Sequence, residues 1–158
     1  MRYAGIKPND IVDGEGVCVS FWTQGCPHKC LGCHNPETWD FEGGYEDEDY
    51  SLLTLILKLI NKNGVQRNLS ILGGEPLCQQ NIKFVEVLIK KAKEQYPDIK
   101  IFLWTGYSID KIKSKEMDTI LALTDVIVDG PFVLSKRDLT LKLRGSSNQR
   151  VLYKGVDF

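Results

Sequence analysis

Three cysteines lie close together in the segment GCPHKCLGC, near the start of the chain. Three residues separate Cys26 from Cys30 and two separate Cys30 from Cys33, while His28 lies within the group and His34 directly after it. Thiolates and imidazoles at such short spacings are typical metal ligands. The chain has five cysteines and no apolar export signal, which disfavours a framework of disulfides. The segment therefore predicts a metal or redox centre.

Two kinds of centre are compatible with this donor set, a zinc ion and an iron–sulfur cluster. Zinc can be held by three thiolates and one imidazole, but structural zinc sites usually take their ligands from two separated pairs. A [4Fe–4S] cluster is normally held by four thiolates, so three would leave one iron open to a substrate or cofactor. An open iron implies chemistry. Three unligated thiols are the remaining alternative, although exposed free cysteines are reactive.

The elements that position this segment follow from the periodicity of the apolar residues. Ser51 and Asn81 are predicted to cap the first two helices, and Gly64 is predicted to end the first. The alternation of strands and helices predicts an α/β fold, an open or partial (β/α) barrel with a mainly parallel sheet, in a single domain over residues 1–158. The predicted strands lie in VCVSFW, NLSILGGEP, IKIFLWTGY, DVIVDGPF (a strand with its turn) and QRVLYK. The predicted helices are YSLLTLILKLINKNG, NIKFVEVLIKKAKEQYPD and SIDKIKSKEMDTILALT, the last as one helix or two short ones.

Four glycine-bearing segments follow directly after predicted strands: WTQGC, LGGEP, WTGY and VDGPF. In parallel α/β sheets the carboxyl ends of the strands meet at one edge, where ligands bind. The cysteine segment and the GGEP turn are therefore expected at one site. The acidic run Glu46–Asp49 is interpreted instead as a solvated loop beside a helix N-terminus.

The overall charge is nearly balanced, with 20 basic and 21 acidic residues and a net charge of -1. This balance gives no sign of a nucleic-acid or membrane-surface binder. No segment has the roughly 20 apolar residues needed to cross a bilayer, and the N-terminus has no apolar signal-peptide run. The protein is expected to be soluble and cytoplasmic.

The order Cys26-x-x-x-Cys30-x-x-Cys33 resembles the cluster motif of radical S-adenosylmethionine enzymes, and the GGEP turn that follows the second predicted strand strengthens the resemblance. In that family the turn binds the methionine amino group. The resemblance implies one [4Fe–4S] cluster per chain, held by these three cysteines, with S-adenosyl-L-methionine bound at the open iron. The residues that it implies for cofactor binding are Gly32, Cys33, His34, Gly73, Gly74 and Glu75.

Gly32 departs from the pattern of that family, in which many members have an aromatic residue against the adenine at this position. Backbone groups around residues 32–34, or the His34 side chain, are then expected to supply the adenine contact. A surface position beside the cluster is the other interpretation of His34. His28 is interpreted as structural.

The run CHNPETWD resembles the glycyl-radical activating enzymes. Within that family, the short chain, the DIVDGEG and DGPF segments and the tail RGSSNQRVLYK are similar to the branch that acts on anaerobic ribonucleoside-triphosphate reductase. The resemblance implies reductive cleavage of S-adenosylmethionine to methionine and a 5'-deoxyadenosyl radical, which takes hydrogen from a glycine of the reductase large subunit. Reduced flavodoxin is the implied electron donor. The alternatives are a pyruvate formate-lyase-type activating enzyme and a zinc-binding, non-catalytic interaction module.

Four further residues have two interpretations each. Arg144 and Arg150, which flank GSSNQ, are candidates for partner docking or for contact with the methionine carboxylate, or lie on a solvated loop. Asp129 contacts the ribose of the cofactor or caps its own turn. Cys78 is expected to be a core residue, because a fourth thiolate would close the open iron.

Overall fold

The computed structural model describes all 158 residues, Met1–Phe158, and contains one seven-stranded sheet and three α-helices. No helix has the length and the apolar character that crossing a bilayer requires. The strands are β1 (Arg2–Asp10), β2 (Cys18–Thr23), β3 (Tyr45–Glu46), β4 (Asn68–Gly73), β5 (Ile101–Trp104), β6 (Val126–Asp129) and β7 (Arg150–Tyr153). The helices are α1 (Asp49–Ile60), α2 (Ile82–Gln95) and α3 (Lys115–Leu123).

The strand order in the sheet is β3-β1-β2-β4-β5-β6-β7. The central strands β2, β4, β5 and β6 are parallel, whereas β1, β3 and β7 join antiparallel at the edges. The predicted α/β class is confirmed, and the sheet is parallel in its middle rather than throughout. Parallel neighbours need crossover connections, which α1, α2 and α3 provide, whereas shorter links suffice at the edges. The curvature of an open or partial barrel stays a prediction.

The N-terminal end of the molecule differs most from the sequence prediction. Strand β1 contains Gly5 and Pro8, which disfavour strands, yet it pairs with β2, and Pro8 lies where the register shifts. Helix α1 begins at Asp49 and its N-cap is Glu48, so the predicted cap at Ser51 is wrong by three residues. The chain's own ammonium group lies 2.7 Å from the Asp49 carboxylate and fixes this end of the helix.

The acidic run Glu46–Asp49 is not a loop along its whole length. Glu46 belongs to β3, where it pairs with Arg2 of β1 both through the backbone and through a 3.1 Å ion pair. Asp49 is the first residue of α1. The run therefore joins β3 to α1. Two of its carboxylates form ion pairs with the first residues of the chain, Asp49 with the Met1 ammonium group and Glu46 with Arg2.

The main core lies between the sheet and the helices, because successive side chains of a strand point to opposite faces. Val19, Phe21, Ile71 and Leu103 face the helices and belong to a cluster of 20 buried residues. The other face carries a small cluster of Cys18, Phe102 and Val126, against which Trp104 packs. Trp104, on this second face of the sheet, also lines the main cavity.

Candidate functional site

A cavity of about 530 Å³ lies where the central strands end. The four glycine-bearing segments that follow β2, β4, β5 and β6 all contribute to its walls, as the parallel arrangement predicts. The lining residues from these segments are Trp22, Cys26, Leu72, Gly73, Gly74, Trp104, Thr105, Gly106, Gly130 and Phe132, and Cys30 and Cys33 line the cavity as well. The structure thus brings the cysteine segment and the GGEP turn together.

Backbone hydrogen bonds hold the cysteine segment in place. The Cys26 amide donates to the Trp39 carbonyl at 3.2 Å, and the Cys33 amide donates to the Cys30 carbonyl at 3.1 Å. All three thiols are free; Cys26 is buried, while Cys30 and Cys33 are half-buried. Burial raises the pKa of the Cys26 thiol, and a bound metal would favour its thiolate.

His28 is not available as a metal ligand through its Nε2 atom, which lies 2.6 Å from Oε2 of Glu75. Its ring also contacts Tyr107 edge-on, with ring centroids 4.4 Å apart. No three metal-binding side chains converge closely enough to hold a single ion. Three free thiols on the wall of one cavity are a donor set that a [4Fe–4S] cluster with one open iron could use.

Glu75 is completely buried, and its carboxylate has four partners within the protein. Oε1 accepts hydrogen bonds from the Leu77 amide at 2.9 Å and from the Thr105 hydroxyl at 2.7 Å. Oε2 accepts from the Gly106 amide at 2.8 Å and contacts His28. Glu75 therefore joins the cysteine segment to the loops after β4 and β5, and a direct contact with a cofactor stays a prediction.

The two glycines of the GGEP turn line the cavity, and Gly74 is also needed for packing. A Cβ atom at Gly74 would lie 2.4 Å from the carbonyl oxygen of Gly25 and 2.9 Å from that of Thr38. The Gly74 amide donates to the Thr23 carbonyl, and the Glu75 amide to the Gly25 carbonyl, at 2.9 and 2.8 Å. The turn thus lies directly against the base of the cysteine segment.

Gly32 has a left-handed backbone conformation with a φ of 76°, which favours glycine. A Cβ atom there would lie 2.8 Å from Cδ1 of the exposed Leu134, which can move aside, so the backbone conformation is the main obstacle to a larger residue. His34 contacts Phe132 edge-on at a centroid distance of 5.3 Å, and both line the cavity. The absence of an aromatic residue at position 32 therefore has a structural reason, and Phe132 supplies an aromatic ring nearby.

Asp129 and Arg150 form an ion pair outside the cavity wall, in which the Asp129 carboxylate is buried and the Arg150 side chain is 46% exposed. Arg150 donates from Nε to Asp129 at 2.8 Å and from a terminal nitrogen at 2.5 Å, and the Ile109 amide donates to the same carboxylate at 2.9 Å. These bonds raise the pKa of Arg150. The pair joins β6 to β7, and the Asp129 carboxylate bonds to Arg150 and to the segment after β5 rather than to its own turn. Arg144 differs, because it lines the cavity while it donates to the Gln149 carbonyl at 2.6 Å.

Some cavity residues have no motif that would predict them, among them Lys7, whose ammonium group lies 4.8 Å from the ring centroid of Trp22. Asp13, in the segment between β1 and β2, also lines the cavity. Burial and a hydrogen bond to the Asp10 carboxylate raise the pKa of Asp13 to about 6. The DIVDGEG segment, which contains Asp13, supports the family resemblance, but no pattern in it predicts that its acidic residues line a cavity.

Because the folded protein raises the pKa of Asp13, folding is favoured when this group is protonated. The free energy of unfolding of the metal-free protein should therefore fall as pH rises from about 4 through about 6. In Asp13→Asn the amide donates to Asp10 at every pH, so this fall should become smaller. Urea unfolding at a series of pH values measures the difference; parallel profiles for both proteins would contradict the assignment.

Comparison with known proteins identifies first a class and then a family. Residues 12–152 match the model of the 4Fe-4S single cluster domain, which covers most of the chain and includes all three clustered cysteines. The chain is also similar over nearly its full length to proteins named anaerobic ribonucleoside-triphosphate reductase-activating protein. It is 33% identical to that of Haemophilus influenzae over 149 residues, 94% of this chain and 96% of the relative.

Two further relatives carry the same name. The chain is 35% identical to the protein of Escherichia coli (strain K12) over 152 residues, which are 96% of this chain and 97% of the relative. It is 38% identical to the protein of Enterobacteria phage T4 over 154 residues, 96% of this chain and 93% of the relative. The chain belongs to the family of anaerobic ribonucleoside-triphosphate reductase-activating proteins.

Proposed function

We propose that this protein activates an anaerobic ribonucleoside-triphosphate reductase by forming a glycyl radical on its large subunit. The enzyme is a radical S-adenosylmethionine activase that uses a [4Fe–4S] cluster and S-adenosyl-L-methionine, with reduced flavodoxin as electron donor. The names of its relatives support the target, and the matched cluster domain supports the iron–sulfur centre. In this proposal the whole chain forms a single domain, an open or partial barrel, that carries out the activation.

The observation that carries the proposal is that Cys26, Cys30 and Cys33 are free thiols on the wall of one cavity that also contains the GGEP turn. Three protein thiolates leave one iron of a cube without a protein ligand. The backbone at Gly73 and Gly74 borders the same space and offers carbonyl oxygens suited to an ammonium group. A cavity of about 530 Å³ can hold a cofactor of nucleoside size.

The protein's own residues would bind the cluster and fix the position of the cysteine segment around it. Cys26, Cys30 and Cys33 would hold the cluster, which when reduced supplies the electron that cleaves S-adenosylmethionine and so leads to the glycyl radical on the partner. Glu75 holds the cysteine segment against the GGEP turn through His28. Cys26 is buried, so its sulfur is shielded from solvent more than those of Cys30 and Cys33.

Anaerobic reconstitution with iron and sulfide tests the proposal. The protein should become brown, and dithionite should bleach its visible absorption. With S-adenosylmethionine it should form 5'-deoxyadenosine, and with the purified reductase a glycyl-radical doublet should appear in electron paramagnetic resonance spectra. Cleavage that yields a radical only on pyruvate formate-lyase would favour the other activase branch. A colourless protein with one zinc per chain would contradict the proposal.

The aromatic pair at the cavity wall predicts an adenine contact. Phe132→Ala removes a ring that packs edge-on against His34, and an aromatic contact of this kind contributes about 1 kcal/mol. The dissociation constant for S-adenosylmethionine should therefore rise roughly fivefold. Equilibrium dialysis against the reconstituted protein measures it. Tyr50→Ala, on the exposed surface of α1, is the control, and equal affinities of the two variants would disprove the contact.

A further inference from the structure

The mouth of the cavity is bordered by exposed apolar side chains. Val12 and Leu139 both line the cavity and are each 76% exposed, so they lie at its opening. Ile11 beside Val12 and Leu31 in the cysteine segment are equally exposed. Such side chains are ordinary when they are scattered, but here they come from three segments around one opening, which is typical of an interaction surface.

One of these segments, residues 134–144, is here called the rim loop. It contains four basic residues and one acidic residue, although the whole chain has a net charge of -1. Lys136, Arg137 and Lys142 are exposed, and none of them forms an ion pair within the protein. The positive charge of the rim loop is therefore unpaired and available to a partner.

The rim loop is held firmly although it has little regular structure. Arg137 and Ser146 form an isolated β-bridge, and the Ser147 amide donates to the Lys136 carbonyl at 2.9 Å. The indole of Trp104 donates to the Leu143 carbonyl at 2.7 Å. A surface that is already ordered loses little entropy when it binds, so this loop is prepared for docking.

We infer that the rim loop docks the partner protein, with Lys136, Arg137 and Lys142 pairing with acidic side chains that lie beside the partner's reacting glycine segment. Leu139 and Val12 contact the apolar part of that segment as it reaches into the cavity. The inference rests on the proposed function, since it assigns the surface through which a protein substrate reaches this site. The unpaired charges favour an acidic partner surface and set its orientation.

Charge reversal tests the inference without changing the cavity wall, because none of the three basic residues lines the cavity. The variant carries Lys136→Glu, Arg137→Glu and Lys142→Glu. Its dissociation constant for the purified reductase should be on the order of 10- to 100-fold higher at low salt, and its yield of glycyl radical should fall in parallel. Formation of 5'-deoxyadenosine in the absence of the reductase should stay unchanged.

A matched control reverses three exposed lysines that form no ion pair and lie elsewhere: Lys58→Glu, Lys62→Glu and Lys90→Glu. The control should bind the reductase as the wild type does. A second rim-loop variant, with Lys136→Arg, Arg137→Lys and Lys142→Arg, keeps the charges and should also bind normally. The inference would be overturned if the rim-loop variant bound the reductase as tightly as the wild type, or if the control variant bound it equally weakly. It would also be overturned if the rim-loop substitutions weakened binding to a duplex oligonucleotide but not to the reductase. If the wild-type protein cleaves no S-adenosylmethionine, the proposed function itself fails.

Discussion

Replacing Cys26, Cys30 or Cys33 with alanine should abolish assembly of the cluster. Each thiol lies on the wall of the same cavity, and no other cysteine lines it. A cube that has already left one iron open would then be held by only two thiolates. Iron content should fall from about four per chain to near zero, with complete loss of the visible absorption and of 5'-deoxyadenosine formation.

Cys78→Ala is the matched control for these three substitutions. Cys78 is also buried and lies just after the GGEP turn, with its amide 3.4 Å from the Glu75 carbonyl. Burial raises the pKa of its thiol, as it does for Cys26. We expect this variant to keep its iron and its activity. Loss of the cluster in Cys78→Ala, together with retention in any of the other three, would show that the open iron is assigned wrongly.

The parts of the fold that depend on local pattern could be predicted from the sequence. The central strands contain alternating apolar residues such as Val19 and Phe21, and the helices have apolar stripes that match the observed core. Strand β1 could not be predicted in this way, because Gly5 and Pro8 weaken its local signal. Its strand conformation depends on pairing with β2, which is a tertiary interaction.

The same distinction applies to the site. The three cysteines and the GGEP turn are short motifs, so the sequence alone placed them on loops at one edge of the sheet. Phe132 and Leu134, which pack against His34 and Gly32, are about one hundred residues away in the chain and carry no motif for this role. Contacts at such separation depend on the connections between strands, which periodicity does not specify.

The contact between His28 and Glu75 leads to the second large expected effect. In Glu75→Gln the side-chain amide group would replace one carboxylate oxygen. It would then face a donor, either the Gly106 amide or the Thr105 hydroxyl, in a site that solvent does not reach. Breaking one member of a buried charged network costs about 3 kcal/mol or more. The free energy of unfolding of the metal-free protein should fall by about that amount.

Urea unfolding measures this loss, with Glu37→Gln as the control, because Glu37 is exposed and only its backbone carbonyl takes part in the hydrogen bonds near the site. If the control loses as much stability as Glu75→Gln, the loss does not come from the buried carboxylate. Iron content and visible circular dichroism of the reconstituted variant give a second measurement. A displaced cysteine segment should change the dichroism of whatever cluster still assembles.

A double-mutant cycle separates the role of the carboxylate in the turn from its role in the cysteine segment. His28→Ala removes the contact between Glu75 and the cysteine segment together with the ring contact to Tyr107, whereas Glu75→Gln disturbs the bonds from Leu77, Thr105 and Gly106. If the two side chains interact as their 2.6 Å separation indicates, the double variant should lose about 1 kcal/mol less than the sum of the single losses. If the losses in the free energy of unfolding were strictly additive, His28 would be held in place by Tyr107 and not by Glu75. Glu75 would then stabilise only the segments after β4 and β5. A measurable coupling would instead show that the GGEP turn positions the cysteines through this contact.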